Sequence, residues 1–320
     1  MCIALISTAH PSYSLIIIDN RDEYLRRPTA PADWWPGSKS NILGGRDLAR
    51  ATQGTWMGVT KEGKVAVLTN YREDTSEKAT GTQSRGAIVN GWLTLAPESR
   101  EPTREFAERM VASTTARNVG GFSLVCGYIN EPLAVISNRS SNIDQVAWLA
   151  TEKGQTVGLS NTHFDDRSWP KILDGERLMI EEIQAHIGAG EDERGLIDRL
   201  FGVLSRNTLP KLSEGATAED YLPHFRKSIF IPKLGVKEQL AAPADGVAVP
   251  YAEATVAGSK QGDELDQSYL HGAYGTQKQT IILVSKDGRV RYFERTLYDN
   301  EMNAIPLGNG DRSYEFQVTQ

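Results

Sequence analysis

Cys2 is the residue of this chain whose type and position point most directly to chemistry. If the initiator Met1 is removed, one residue carries both a thiol nucleophile and, on its own backbone nitrogen, a base. An α-amine titrates near about 8 and a cysteine thiol near about 8.5, so at neutral pH the amine can accept the thiol proton. A small second residue favours removal of Met1. The alternative interpretation is a small apolar residue that starts a buried strand, because free cysteine is among the most buried residue types.

Two apolar runs with a turn between them decide which residues lie beside Cys2. The runs are Ile3–Thr8 and Tyr13–Asp19, and His10-Pro11-Ser12 between them is typical of a tight turn. We predict an antiparallel hairpin in which facing residue numbers sum to about 22, so that Cys2 faces Asn20 to within one residue.

A polar cluster then lies beside the thiol. Its members are Asp19, Asn20, Arg21, Asp22 and Glu23. An arginine between carboxylates at the open end of a buried hairpin can hold a cysteine in electropositive surroundings and position its proton acceptor. The functional interpretation makes Arg21 and Asp22 the organisers of the thiol and puts Asn20 and Glu23 next to a bound ligand. The alternative is a strand that simply runs into solvent.

The elements that must position these residues are strands grouped in hairpins, with helices between the groups. Strand pairs are predicted over 54–60 with 64–70, over 123–129 with 133–137, and over 280–285 with 290–295. Apolar periodicity predicts helices over 87–95, 104–113, 171–187 and 196–204. This combination predicts an α+β layered domain. We expect the whole chain, 1–320, to form one domain in which the Ala-, Pro- and Gly-rich segment 235–262 is a surface excursion.

Short sequence words along the chain resemble those of a known family. Asn20-Arg21-Asp22-Glu23, followed by Tyr24 and Arg27-Pro28-Thr29, resembles the motif of the NRDE-domain family, also called the transport and Golgi organisation protein 2 family. Further matches follow in the family's order: Gly54–Gly58, Leu68–Tyr71, Ser84–Gly86, Ser137–Arg139, Gly158–Asn161, Trp169–Lys171 and Tyr274–Thr276. The resemblance implies a four-layer αββα sandwich of the N-terminal-nucleophile (Ntn) hydrolase type, similar to penicillin V acylases and bile-salt hydrolases.

The resemblance also implies roles for two asparagines. Asn70 and Asn161 end strand-like segments, where asparagine is most often a turn former. In the related acylases, asparagines after comparable strands form the oxyanion hole or bind the amine of the nucleophile, and such donors stabilise a tetrahedral intermediate. One position departs from the family, because Gln277 and Lys278 follow Gly-Thr where arginine is usual. The planar guanidinium is missing there, and Lys278 does not reproduce its geometry.

Composition is that of an ordinary globular body and argues against several functions. The 320 residues carry a net charge of −6 and a pI near 5.5, which disfavour a surface for nucleic acid or anionic membrane. No segment reaches the roughly 20 apolar residues of a membrane helix, and no basic region precedes the N-terminal apolar run. Cys2 and Cys126 give no disulfide framework, which fits a reducing, cytoplasmic compartment. The five histidines lack metal-ligand spacing, so we expect no metal site.

Two classes of function stay open. A binding protein would hold a small hydrophobic metabolite beside Cys2, with Trp34 and Trp35 as pocket walls. The resemblance implies heme, a lipid or an acyl compound, because the family is associated with Golgi organisation and secretion, lipid homeostasis and heme trafficking; it also implies association with the Golgi or mitochondria. A thiolate or a histidine can ligate heme iron, and no cofactor is required. An enzyme would instead cleave an amide or thioester through an acyl-Cys2 intermediate. The missing arginine at residue 277 favours the binding class.

Overall fold

Two antiparallel sheets form the middle of the fold in the computed structural model, which describes residues 2–71, 84–117, 119–213, 216, 218–235 and 272–319. The first sheet contains β1 (Ile3–Ser7), β2 (Tyr13–Tyr24), β10 (Thr156–Leu159), β11 (Tyr274–Ser285), β12 (Arg289–Thr296) and β13 (Asp311–Gln317). The second contains β3 (Thr29–Trp34), β4 (Ile42–Asp47), β5 (Met57–Thr60), β6 (Lys64–Asn70), β7 (Phe122–Tyr128), β8 (Leu133–Ser137) and β9 (Ala147–Leu149). The strand order is β10-β1-β2-β11-β12-β13 in the first sheet and β3 to β9 in sequence in the second.

Helices connect the strands and cover the outer faces of both sheets. They are α1 (Gly86–Leu93), α2 (Thr103–Ala112), α3 (Thr114–Arg117), α4 (Pro170–Ala189), α5 (Glu193–Leu204) and α6 (Ala218–Tyr221). Short 3-10 turns lie at Gly37–Lys39, Ile143–Gln145 and Leu222–His224. None of the helices in the described ranges has the length and apolar character needed to cross a bilayer.

Three apolar clusters define the order of the layers. Between the sheets, alternate residues of each strand interdigitate, including Ile6, Ile17, Val67, Val125 and Ile282. The opposite face of the first sheet packs on α4 and α5, for example through Leu5, Ile18, Met179, Leu200 and Phe201. The outer face of the second sheet packs on α1 and α2, for example through Ala66, Leu68, Trp92 and Phe106. Each buried side chain of this size contributes about 1.5–3 kcal/mol. The expected α+β class and αββα order are therefore confirmed.

The first hairpin forms as predicted, with a register shifted by one residue. Ile3 pairs with Asn20 and Ser7 with Ile16, so facing numbers sum to 23 rather than 22. Continuing the register by one residue sets Cys2 opposite Arg21. Strand β2 also runs on to Tyr24, because β11 pairs with it along its length. The polar cluster is therefore inside the sheet, and the alternative of a strand running into solvent is wrong: Asp19, Asn20, Arg21 and Asp22 are all at most 4% exposed.

The other predicted hairpins and helices are also found, with boundaries that differ by a few residues. The largest difference is in β11, which begins at Tyr274 rather than near residue 280. Its early part contains a register shift between Thr276 and Lys278, so Gln277 is the extra residue of a β-bulge. The expected surface excursion over 235–262 lies outside the described residues, apart from Gly235.

Two glycines allow α4 to approach the first sheet closely. A Cβ atom on Gly158 of β10 or on Gly175 of α4 would lie 2.9 Å from the side chain of Leu5. Without those methyl groups, the helix packs directly over β1 and β10. This contact brings the first turn of α4, with Lys171, to the end of β1 that carries Cys2.

Two histidines link the turn of the first hairpin to the end of α4. The Nδ1 atom of His10 accepts a hydrogen bond from the backbone N–H of Ser12 at 3.0 Å. The remaining proton of His10 therefore sits on Nε2, which lies 3.2 Å from Nδ1 of His186. The Nε2–H of His186 in turn donates to the carbonyl of Asp192 at 3.0 Å. His10 is neutral in this arrangement. Burial, then His186 and Lys286, lower the pKa of His10 to about 4.

We predict that acid destabilises the fold through His10. Its pKa lies below the ordinary value of 6.5, so between pH 6.5 and 4 the unfolded chain binds more protons and stability falls as the pH falls. We expect the free energy of unfolding to drop by about 1–2 kcal/mol between pH 7 and 5 through this group alone. Urea unfolding of the wild type and of His10→Gln measures it. The variant should lose most of this pH dependence, whereas the exposed-site control His163→Gln should keep it. An equal drop in all three proteins contradicts the assignment.

Candidate functional site

The two sheets enclose polar side chains at one end and apolar side chains at the other. Register on the first sheet sets Arg21, Lys278 and Thr296 in one row across neighbouring strands. The next row contains Asp19, Thr280 and Glu294. Further from Cys2, the rows become apolar and begin with Ile6, Ile17 and Ile282. By the alternation of side chains along a strand, Cys2 shares the inner face with Ala4 and Ile6 and lies at the polar end.

Residue 2 is held by its main chain as well as its side chain. Its carbonyl oxygen accepts hydrogen bonds from Ser160 Oγ at 2.7 Å and from Lys171 Nζ at 3.3 Å. The Cys2 thiol donates to the carbonyl of Asp22 at 3.8 Å. Cys2 is 7% exposed, and Lys171 is fully buried. Three elements, β2, α4 and the segment after β10, therefore converge on this one residue.

The thiol lies among groups of both signs. Burial raises the pKa of the Cys2 thiol to about 11; the N-terminal amine acts in the opposite direction, and Asp19 and Asp22 add to the rise. Burial also raises the pKa of Asp19 well above its ordinary value, with a further contribution from Asp22. The Cys2 sulfur is therefore a protonated thiol at neutral pH. This differs from the expectation that Arg21 makes the cysteine electropositive.

Arg21 is occupied by other partners. Its Nη2 lies 3.1 Å from Asp47 Oδ2, and its Nη1 donates to Oε1 of Gln277. The guanidinium carbon also lies 4.8 Å from the ring centroid of Trp56. Burial opposes ionisation of Asp47, but Arg27 and Arg21 hold its pKa below the ordinary value. Asp47 thus balances the charge of Arg21, and the neutral side chain of Gln277 accepts a further hydrogen bond from it.

Asp22 is oriented by β11. Thr276 Oγ1 donates to Asp22 Oδ1 at 2.6 Å, and the hydroxyl of Tyr274 donates to the Asp22 carbonyl at 3.1 Å. Burial raises the pKa of the Asp22 carboxyl, while the positive charge of Lys171 acts in the opposite direction. The structure therefore brings Asp22 and Cys2 together, as the sequence predicted, and adds Lys171 to them.

Asn20 and Glu23 have structural contacts of their own. The amide of Asn20 points to the helix side of the sheet, where it donates to the carbonyls of Leu204 at 2.8 Å and Ile229 at 2.9 Å. Glu23 accepts from the backbone N–H of Tyr24 at 2.9 Å, and its other oxygen lies 4.0 Å from Arg27 Nε. Asn20 therefore ties the end of α5 to β2, on the face opposite to Cys2.

Both predicted asparagines flank residues that join the two sheets near Cys2. Thr69 Oγ1 donates to the carbonyl of Ser160 at 3.0 Å, and Asn70 and Asn161 are the next residues along the chain. Asn161 is 4% exposed, and its Oδ1 lies 3.5 Å from the Ser160 hydroxyl that holds Cys2. The two asparagines thus belong to the same end of the sandwich as residue 2.

The tryptophans Trp34 and Trp35 lie on opposite faces of the second sheet. Trp35 packs in the outer cluster with α1 and α2, and its Nε1 donates to the Gly44 carbonyl at 3.0 Å. Trp34 packs edge-to-face on Phe316, with ring centroids 5.1 Å apart. The structure does not bring Trp35 to the inner face where Cys2 lies.

Sequence reasoning missed two contributors to the site, Ser160 and Lys171, and named Asp19 only as a member of the polar cluster. Ser160 and Lys171 lie inside sequence words already connected with the family, namely 158–161 and 169–171. Nothing in those two words indicates that the chain folds them onto residue 2. A rim follows the two asparagines: the rings of Tyr71 and His163 lie 5.0 Å apart, and Arg139 sits 4.0 Å over Tyr71.

A separate cavity of about 440 Å³ lies at the other end of β1. It is lined by residues of the hairpin turn and of 150–154, including His10, Tyr13 and Lys286. It is therefore distant along the strand from Cys2. Within the described part of the chain, no group of three or more His, Cys, Asp or Glu side chains is arranged to hold a metal ion.

An αββα sandwich with a cysteine at residue 2, held between its sheets by neighbouring polar groups, is the class that this fold and site define. The family model described as Transport and Golgi organisation 2 matches residues 1–299, and the chain belongs to this family. The resemblance seen in the short sequence words is thus confirmed.

Several known proteins are similar to the chain over most of its length. An uncharacterized protein from Saccharomyces cerevisiae is 28% identical, covering 94% of this chain and 93% of its own. The human Transport and Golgi organization protein 2 homolog is 26% identical, with 96% and 94% covered. Among solved structures, a variant of conjugated bile acid hydrolase from Clostridium perfringens aligns with a TM-score of 0.44 at 12% identity over 99% of this chain and 98% of that one. An N-acylethanolamine-hydrolyzing acid amidase ortholog from Caenorhabditis elegans aligns at 0.42 and 11%, over 62% and 85%.

We predict that Cys2 behaves as a protonated thiol in the folded protein. A pKa of about 11 leaves about a hundredfold less thiolate at neutral pH than the ordinary thiol value does. In a Cys126→Ala background, the rate of Cys2 alkylation by iodoacetamide should rise about tenfold per pH unit from pH 7 to 10. The same protein in urea should level off near pH 9. A plateau below pH 9 in the folded protein contradicts the prediction.

Proposed function

We propose that this protein binds a small hydrophobic metabolite beside Cys2, in the role that the family name connects with Golgi organisation and secretion. Heme, a lipid and an acyl compound are the ligand classes proposed. The chain would act as a carrier in the cytoplasm, associated with the Golgi or with mitochondria. The observation that carries the proposal is the burial of Cys2, which is 7% exposed and lies beside Asp19 and Asp22, two carboxyls that oppose ionisation of the thiol.

The charges around the thiol favour binding over catalysis. A nucleophilic cysteine needs thiolate character, which positive neighbours promote and burial opposes. Here the charge of Arg21 is balanced by Asp47, and residue 277 is a neutral glutamine. A thiol in these surroundings is a poor nucleophile at neutral pH. It can still lose its proton to a metal that coordinates it.

The rim beside Asn70 and Asn161 supports an aromatic ligand. The faces of Tyr71 and His163, whose rings lie 5.0 Å apart, offer stacking surfaces. Heme is planar and aromatic, and Cys2 and the exposed His163 are the residues that would supply ligands to its iron. The chemistry of the donors is therefore compatible with heme as cargo.

We expect hemin to bind saturably with a shift of its Soret band. Cys2→Ala should move or abolish the shifted band if the sulfur is the iron ligand, and His163→Ala should do so if the imidazole is. A control variant at a cysteine outside the site, Cys126→Ala, should titrate like the wild type. Absorbance titration at constant protein concentration measures this. Absence of a saturable shift rules out heme as a ligand.

A lipid or acyl ligand is tested in parallel with a fluorescent fatty acid. Displacement by unlabelled acyl compounds would support that class. Absence of saturable binding by both probes overturns the binding proposal.

The alternative function is an N-terminal cysteine hydrolase that cleaves an amide or thioester. One observation favours it: donors from Ser160 and Lys171 fix the main chain of residue 2, and Asn161 lies next to Ser160. In such an enzyme, Cys2 would attack the carbonyl, its α-amine would accept the thiol proton, Asn70 and Asn161 would stabilise the oxyanion, and Arg21 with Asp22 would hold the arrangement.

An activated ester probe tests the alternative. Intact mass first establishes whether Met1 is removed, because retention eliminates the α-amine as base. A hydrolase should then accumulate an acyl adduct on Cys2, and Asn161→Ala should slow its formation about a hundredfold, as the loss of one oxyanion donor does elsewhere. Asn142→Ala, at an exposed asparagine that caps the short 3-10 turn Ile143–Gln145, is the matched control. No adduct, or an equal rate in both variants, argues against hydrolysis.

A further inference from the structure

Lys171 is a fully buried cation that neither the sequence words nor the family name connects with a role. It is the second residue of α4, and its backbone N–H donates to the carbonyl of Arg226 at 3.2 Å. Its side chain is 0% exposed and reaches Cys2 O at 3.3 Å. A buried ammonium costs several kcal/mol of desolvation, so its retention calls for a compensating partner.

The partners of Lys171 are the groups around the thiol. Burial lowers the pKa of Lys171, while Asp22, Cys2 and Asp19 act in the opposite direction, in that order. The ammonium therefore attracts the ionised forms of all three. Ser160 supplies the other hydrogen bond to the Cys2 carbonyl but brings no charge.

We infer that Lys171 is the positioning residue of the Cys2 site: it fixes the main chain of residue 2 and balances the acidic side chains beside the sulfur. This inference rests on Cys2 as the centre of the proposed function, and it holds for a carrier as for a hydrolase. In both, Lys171 acts on the same sulfur as Asp19 and Asp22 of β2, with the opposite sign.

The charged groups that face the sulfur come from several elements. Asp19 and Asp22 lie on β2, Lys171 on α4, and Arg85 just before α1. If Met1 is removed, the α-amine of residue 2 joins these groups. Of these groups, Lys171 is the one whose side chain hydrogen-bonds to Cys2, whereas Asp22 accepts from the thiol through its main-chain carbonyl.

Alkylation kinetics test the role of Lys171. Loss of a neighbouring positive charge raises a thiol pKa by about one unit, so Lys171→Met should alkylate at Cys2 about tenfold more slowly at each pH from 8 to 10. Lys171→Arg keeps the charge and should remain within about threefold of the wild type. A purely structural role predicts the opposite direction, since a loosened site exposes the sulfur and speeds the reaction. An unchanged or faster rate in folded Lys171→Met overturns the inference.

The second cysteine reports whether a variant is folded. Cys126 is 0% exposed, so its labelling marks unfolding. If Lys171→Met labels there, the double variant Asp22→Asn/Lys171→Met carries the test, because it removes opposite charges together. We expect the double variant to fold and to alkylate within about threefold of the wild type. A double variant as unfolded as the single one, or Lys171→Arg as slow as a charge-free variant, overturns the inference.

The alkylation test of Lys171 and the ligand-binding test of the proposed function can fail independently. Absence of ligand binding in the wild type removes the carrier proposal and leaves the alkylation result standing. An unaltered alkylation profile in Lys171→Met removes the role of the lysine and leaves ligand binding standing.

Discussion

The pairing of β2 with β11 along their whole length is the constraint on which the candidate site depends. An edge strand could have let the polar cluster reach water, but here β1 flanks β2 on one side and β11 on the other. Asp19, Arg21 and Asp22 are therefore buried, and each buried charge needs a partner. Asp47, Thr276 and Lys171 supply those partners from three different elements. The positions of these partners determine the geometry around residue 2.

Side-chain alternation then sorts the polar cluster into two sets. Asp19 and Arg21 point between the sheets, whereas Asn20 and Asp22 point to the helices. One set sets the electrostatics inside the sandwich, and the other joins the sheet to α4 and α5. Consecutive residues of one motif therefore act on the two opposite faces of the sheet. Both faces meet at Cys2, because the Cys2 carbonyl contacts α4 and the Cys2 side chain faces the space between the sheets.

The order of the helix and sheet layers could be predicted from the sequence, but the side-chain contacts of the candidate site could not. Hairpins and amphipathic helices are local patterns, so their existence and the α+β class could be read from periodicity, and the family words supplied the αββα order. The register of β1 on β2 was off by one residue because the turn at His10-Pro11-Ser12 does not fix loop length by itself. Lys171 and Cys2 are 169 residues apart in the sequence, and their contact depends on the close packing that Gly158 and Gly175 allow. No local sequence pattern predicts this contact. The position of Trp35 on the outer face likewise depended on the bulged path of β3.

The division of the inter-sheet space into polar and apolar ends makes the cohesion of the sandwich unequal along its strands. The row of Ile6, Ile17 and Ile282 holds the two sheets together by apolar packing. The rows of Arg21 and Asp19 hold them together by charge and hydrogen bonding, which water can replace. The Cys2 end of the sandwich is therefore held by interactions that water or a polar ligand can replace, whereas the end near the hairpin turn is held by apolar packing.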